Sequence, residues 1–254
     1  MPTFRDTAIC IRHWDWSETS QTVSLLTREH GLIRGLAKGS KREHSRFSGG
    51  IELLTRGQII WIAKPGAELA TLTDWDLSEL YPGIRASLAC YYAGMYAADL
   101  CQLAVRDHDP HPGLFDALHR ALGSLSPPTT QTTLAHFQWS LLVEAGYRPE
   151  LARDVRTSAD LAGRGTAWFY PRLGGFSAVG EGDANTGEPW GVRAETLGVL
   201  RQLSTGASPD GGEPAAERAG RLLAAYVREA LGVEASSLRY VYSVPNARNL
   251  RGGS

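Results

Sequence analysis

Apolar and polar residues alternate with two different periods along this chain, and the switch between them divides it. Up to about residue 80 the period is two. Thr7 to Arg12 and Thr22 to Arg28 read as strands, the second with Val23, Leu25 and Thr27 on one face. Glu29-His30-Gly31 is a turn signal, and Leu32 to Ala37 returns as a hairpin partner. Ile51 to Thr55 begins the next strand region. Gly57 to Ala63 contains Ile59-Ile60-Trp61-Ile62, a run that predicts a strand buried on both faces. Lys64-Pro65-Gly66 marks a turn, and Glu68 to Asp74 a fifth strand. Five short strands with regularly spaced turns predict a small barrel or sandwich.

Tyr81-Pro82-Gly83 marks a boundary, beyond which the period lengthens to that of a helix. Leu88, Tyr92, Met95, Leu100 and Leu103 line one helix. Leu114, Leu118, Leu122 and Leu125 line a second, and Leu134, Phe137, Leu141 and Leu142 a third that ends at Gly146. From Tyr147 to Pro189 the pattern dissolves into a glycine-rich stretch, long for a structureless loop in a compact domain. Helices resume at Val192 to Leu203 and, after a break over Ser204 to Pro214, at Ala215 to Leu231. The pattern predicts an α+β chain: a β domain over 1–80, then an α-helical domain over 81–254 with an irregular loop at 147–190.

Composition narrows the classes. Of 254 residues, 43% are hydrophobic and 21% charged, which excludes wholesale disorder and a coiled-coil rod. The net charge of −1 means that any nucleic-acid role needs a local basic patch. Three cysteines make no disulfide framework; on a helix, Cys90 and Cys101 stand roughly 16 Å apart. With no apolar leader in the first residues, a reducing, cytoplasmic setting is expected. Leu88 to Val105 has about the length of a membrane span. Asp99, Gln102 and three tyrosines in or beside its core argue for a buried helix and no membrane role.

The candidate chemistry is concentrated in a loop. Between Arg28 and Arg46 lie six basic and two acidic residues, a local charge of +4. Arg34, Lys38, Lys41, Arg42 and Arg46 are the candidate phosphate-binding residues, and Gly39, Gly49 and Gly50 allow close backbone approach. Trp14, Trp16, Phe47 and Trp61 interleave with them. Trp61 reads as core, and Phe47 as either a stacking platform or the loop's anchor. Asp107-His108-Asp109-Pro110-His111 has ligand-type residues, but reads better as a turn capping the next helix. Asp74, Asp76 and Glu79 read as an acidic strand end, with a two-metal nuclease as the sharper alternative. No HExxH, GxxxxGK[ST], GxSxG or GxGxxG motif is present.

Several ordered segments carry a resemblance. Ser24 to Arg34, then Ala37-Lys38-Gly39 and Ser45-Arg46-Phe47, resemble the N-terminal signature of the bacterial RecO family of DNA repair proteins. Leu80-Tyr81-Pro82-Gly83-Ile84-Arg85, Pro112-Gly113-Leu114-Phe115 and Ala145 to Leu151 are also similar to it. The resemblance implies an N-terminal OB-fold and a helical C-terminal domain. It implies binding of single- and double-stranded DNA, strand annealing, and assistance to recombinase loading with RecR and single-strand DNA-binding protein. It implies no enzymatic turnover and no catalytic residues. The competing readings are a protein-interaction scaffold with an incidental basic loop and a metal-dependent nuclease.

One departure from the family stands out. Many members hold zinc with two CxxC pairs in the long loop. Here Asp154 and Thr157 stand about where the first pair would fall, and Ser177 to Glu181 where the second would. With no thiolate available, no zinc and no other cofactor is expected. The degenerate finger would be held instead by Trp168, Phe169, Tyr170 and Phe176.

Overall fold

The structure, a computed structural model, describes residues 2–47, 49–63, 66–161 and 166–242. Strands β1 (Thr3–Asp15), β2 (Gln21–Thr27), β3 (Gly31–Ala37), β4 (Arg56–Ile62) and β5 (Ala70–Glu79) close into a barrel in the order β1-β2-β3-β5-β4. The β3–β5 pair is parallel and the other four pairs are antiparallel. The interior is filled by Ala8, Cys10, Val23, Leu25, Ile33, Ile59, Trp61, Leu72 and Trp75, with Phe47 and Ile51 added from the loop after β3.

The doubly buried strands are not the expected ones. In β4, Ile59 and Trp61 face inward while Ile60 and Ile62 are half-buried. Instead β1, β2 and β3 bury both faces along part of their length: Ile9, Ile11, Leu26 and Leu32 pack outward against the helices. Residues 51–55 form a turn, not a strand. Leu54 N–H donates to the Cys10 carbonyl (2.8 Å) and Cys10 N–H to the Thr55 carbonyl (2.9 Å). These bonds occupy the backbone of β1 where its register slips between Cys10 and Arg12. Strand β5 continues past Asp74 to Glu79, so the acidic residues lie within a paired strand. Of the turn expected at Lys64-Pro65-Gly66, the first two residues lie outside the described residues.

The helices are α1 (Leu88–Ala104), α2 (Pro112–Ser124), α3 (Thr130–Glu144), α4 (Ala194–Thr205), α5 (Gly212–Leu231) and the short α6 (Leu238–Val241). The Ser87 hydroxyl caps α1 by accepting from Cys90 N–H at 3.1 Å. Of the line expected on α1, Leu100 is buried, Tyr92, Met95 and Leu103 are half-buried, and Leu88 is exposed; the buried face is Cys90, Ala93, Tyr96, Ala97, Leu100 and Cys101. Small side chains there let neighbouring elements approach closely. The leucine lines expected on α2 and α3 are buried. At the end of α3, Gly146 has φ 80°, and Tyr147 N–H returns to the Leu142 carbonyl at 2.7 Å.

Residues 147–161 and 166–193 are more ordered than their pattern suggested. They hold a three-stranded sheet, β7-β6-β8, made of β6 (Thr166–Tyr170), β7 (Gly175–Ser177) and β8 (Trp190–Arg193). The helix expected from Val192 therefore starts at Ala194. Strands of three to five residues are too short to display a period. Phe169, Tyr170 and Phe176 are buried there, whereas Trp168 is 38% exposed and lies at the surface. Asp99, which interrupts the apolar run, joins the parts. Its buried carboxylate accepts from Arg12 Nη2 of β1 (2.9 Å), and from the N–H (3.2 Å) and hydroxyl (2.6 Å) of Ser237. Among the described residues, no helix is long and apolar enough to cross a membrane.

Candidate nucleic-acid interface

The connection from β3 to β4 is irregular but well tied. Gln21 of β2 is buried beneath it. Its Oε1 accepts from Ser40 Oγ and from Ile51 N–H, both at 3.0 Å, and its Nε2 donates to the Ile51 carbonyl at 3.3 Å. Gly39, at φ 68°, turns the chain out of β3 and donates its N–H to Ser20 Oγ at 3.0 Å. Lys41 N–H donates to the Thr19 carbonyl at 3.1 Å, and Trp75 N–H to the Arg46 carbonyl at 2.9 Å. Phe47 is buried in the barrel core, so it anchors the loop and offers no stacking face.

This scaffold sorts the five candidate cations into two groups. Lys38, Arg42 and Arg46 line one concavity of about 450 Å³, together with Glu43 and His44. All three are exposed, and none forms an ion pair among the described residues. Arg34 lies apart, on the outer face of β3, paired with Asp107 at 3.3 Å. Lys41 is paired with Asp15 of β1; its hydrogen bond holds that carboxyl below the ordinary range. Arg28 is also occupied, by Asp116 at 3.0 Å and Glu29 at 2.7 Å. The Arg28 hydrogen bond lowers the Asp116 carboxyl in turn. Half of the local basic charge is thus matched by carboxylates, and the unmatched half is gathered at one place.

Of the four aromatics that interleave with the basic loop, Phe47 and Trp61 are core, while Trp14 and Trp16 are exposed, at 52% and 64%. They sit at the end of β1 and in its turn to β2, beside the loop that Lys41 joins to Thr19. The register slip in β1 matters here. Ile9 and Ile11 face outward, and the extra residue brings the even-numbered Arg12 and Trp14 onto that same outer face. Without the slip, strict alternation would turn them inward. A Trp-Asp-Trp triplet next to a turn was the available sequence signal; its orientation was not.

The other candidates separate. Asp107 is bridged to Leu32 of β3 and salt-bridged to Arg34, and His108 N–H donates to the Leu32 carbonyl at 3.1 Å. His111 precedes α2 without a side-chain cap, so the expected capping role is absent; the segment packs on the barrel instead. Glu79 is paired with Arg56 at 3.1 Å. Among the described residues, no group of three or more His, Cys, Asp or Glu is placed to hold a metal ion.

In residues 147–190 a single carboxylate occupies the centre. Asp154 is buried. One oxygen accepts from Arg156 N–H (2.9 Å) and Thr157 N–H (3.0 Å), the other from Ala178 N–H (2.8 Å) and Ser177 Oγ (3.0 Å). These are the two stretches that the sequence resemblance aligns with cysteine pairs. Burial raises the Asp154 carboxyl, but the N–H groups of Ala178, Arg156 and Thr157 and the Ser177 hydroxyl outweigh it and bring it down to about 2. Both oxygens are already engaged, and Thr157 and Ser177 bring neither thiolate nor imidazole. The site does not fit zinc.

Comparisons with known proteins agree on one family. Residues 1–81 match the family described as "Recombination protein O N terminal", and residues 85–239 match "Recombination protein O C terminal". A DNA repair protein RecO of Anaeromyxobacter sp. (strain Fw109-5) is 30% identical over 243 residues, covering 94% of this chain and 95% of the relative. That of Myxococcus xanthus is 30% identical over 253 residues, covering 96% and 99%. That of Rhodopirellula baltica is 38% identical over 176 residues, covering 69% and 63%. With both halves matched in order and near full-length relatives at this identity, the chain belongs to the RecO family of DNA repair and recombination proteins.

Proposed function

We propose that this chain binds single- and double-stranded DNA through the loop at residues 38–50 of an OB-fold barrel and anneals complementary strands. The observation that carries this reading is the concavity at Lys38, Arg42 and Arg46. Three exposed cations meet there with no carboxylate bonded to them, while Arg28, Arg34 and Lys41 are each paired. Phosphates supply the missing counter-charge. Neutralising two strands lowers their mutual repulsion, and base pairing follows without turnover chemistry. Family membership supports the wider role: RecR and single-strand DNA-binding protein as partners, and help in loading recombinase. The segment at 147–190 is, on this reading, a finger that has exchanged its metal for Asp154.

The test is annealing of two labelled complementary oligonucleotides across a salt series, with chelator present. Three phosphate contacts predict a slope of log K against log salt of about −2 for single strands. The variant Lys38→Glu/Arg42→Glu/Arg46→Glu should lose more than about tenfold in affinity, evenly over sequences, and flatten that slope. Unchanged affinity and slope in this variant would reject the loop as the DNA site and favour the scaffold reading.

A further inference from the structure

A second concavity, of about 420 Å³, opens on the outer face of the barrel where β1, β2 and β3 approach α1. Its floor follows from strand register. Arg12, Ser24 and Arg34 stand in one row across three strands, and Trp14 and Thr22 in the next. Gln102 of α1 forms a wall, and its Oε1 is buried with no hydrogen-bond partner among the described residues. Its side chain, half-buried, closes the cleft on the helix side.

The charge in this cleft differs from that in the loop. Arg12 is held by Asp99 at 2.9 Å and Arg34 by Asp107 at 3.3 Å, so the cations are already matched. Such a site competes poorly for phosphate. It offers instead a half-exposed indole, the hydroxyls of Thr22 and Ser24, guanidinium edges and the amide of Gln102. That set suits a flat group with apolar faces and N–H and C=O groups at its rim, which is a nucleobase. In a duplex those faces are stacked and those edges paired, so only an unpaired base can enter.

We propose that this cleft seats an unpaired base of a DNA single strand, with Trp14 as the stacking face, and so makes the chain prefer single strands to duplex. The proposal rests on the DNA-binding reading above, in which the loop cations supply the phosphate contacts. The cleft adds base contacts that are insensitive to salt.

The test compares wild type and Trp14→Ala on three probes of equal length: an oligo-dT strand, an abasic strand that keeps every phosphate, and a duplex. The variant should bind oligo-dT about five- to a hundredfold more weakly. Binding to the abasic strand and the duplex should stay within about twofold, and the salt slope should not change, because no phosphate contact is lost. Trp14→Phe should recover most of the loss. Gln102→Trp, which fills the cleft from its wall without touching the stacking face, should also weaken oligo-dT and spare duplex. A urea midpoint like that of wild type excludes misfolding of either variant. Equal losses on all three probes, or no loss on oligo-dT, overturn the cleft while leaving the loop reading intact. If wild type binds none of the probes, the loop reading fails and the cleft falls with it.

Discussion

Two irregular segments of this molecule, the described residues within 38–50 and within 147–190, are organised in the same way with opposite chemistry. Each is tied together by one buried polar side chain that serves backbone groups far away in sequence. Beneath the basic loop it is the neutral amide of Gln21, bonded to Ser40 and to both backbone groups of Ile51. In the other segment it is the ionised carboxylate of Asp154, bonded to the turn at Arg156 and Thr157 and to the end of β7 at Ser177 and Ala178. The contrast has a physical reason. A carboxylate at position 21 would place a negative charge under Lys38, Arg42 and Arg46 and cancel part of their field. An amide gives the same hold on the loop and leaves those cations uncompensated. Around Asp154 four donors converge, and an acceptor-only group matches four donors better than an amide can.

The largest expected effect is on the segment around Asp154. Asp154→Ala strands four hydrogen-bond donors in a buried site and should cost about 3 kcal/mol or more in urea unfolding. Hydrogen exchange should then rise at the amides of Arg156, Thr157 and Ala178 but not at Ile51. If exchange rises equally in both segments, the two are not independently organised. Gln21→Leu should cost about 2 kcal/mol, since it orphans the Ile51 amide and the Ser40 hydroxyl. It should also weaken DNA binding by loosening the cation-bearing loop, whereas Asp154→Ala should leave DNA affinity as it is in the folded protein. A fluorescence-anisotropy titration of the two variants separates these outcomes.

The next effect is a pH dependence found in one segment and not the other. The Asp154 carboxyl falls from an ordinary 3.8 to about 2 in the folded chain. A lowered folded-state value stabilises the fold above the ordinary value, and that stability is lost as pH falls from about 4 towards 2. The contribution is about 1–2 kcal/mol, discounted because Arg156 and Thr157, which donate to Asp154, are exposed to solvent. It should vanish in Asp154→Asn and persist in Gln21→Leu, which acid-unfolding curves would reveal. The smallest effect belongs to Lys41→Ala. Its exposed pair with Asp15 is screened by solvent, so the urea midpoint should stay close to that of wild type. Because that charge is already matched, the loss in DNA affinity should be smaller than for Lys38→Ala, measured at the same salt.

Much of the architecture was legible in the chain. The change of period near Tyr81 separates barrel from helices, and the leucine lines on α2 and α3 are the buried ones. Long, repetitive elements announce themselves because each turn repeats the same demand for burial. The misreadings share a cause. The continuous apolar run of β4 predicts burial on both faces, but the helices pack on β1, β2 and β3 instead. Tertiary packing decides which sheet face is covered, and a single strand carries no record of it. The sheet at 166–193 escaped notice because its strands are shorter than the window in which a period shows. The loop cations were visible as composition, while the outward turn of Trp14 depended on a bulge that has no sequence signature here.

What the chain determined by itself is the order of its elements, the position of its basic loop and the lack of thiols in residues 147–190. These are local: they depend on residue type and on neighbours within a few positions. What only the folded molecule decided is which charges remain unmatched and which polar groups become centres. Arg28 meets Asp116 across 88 residues, and Asp99 meets Ser237 across 138. Electrostatic pairing and burial act over distance in space, and the fold sets that distance without regard to separation along the chain.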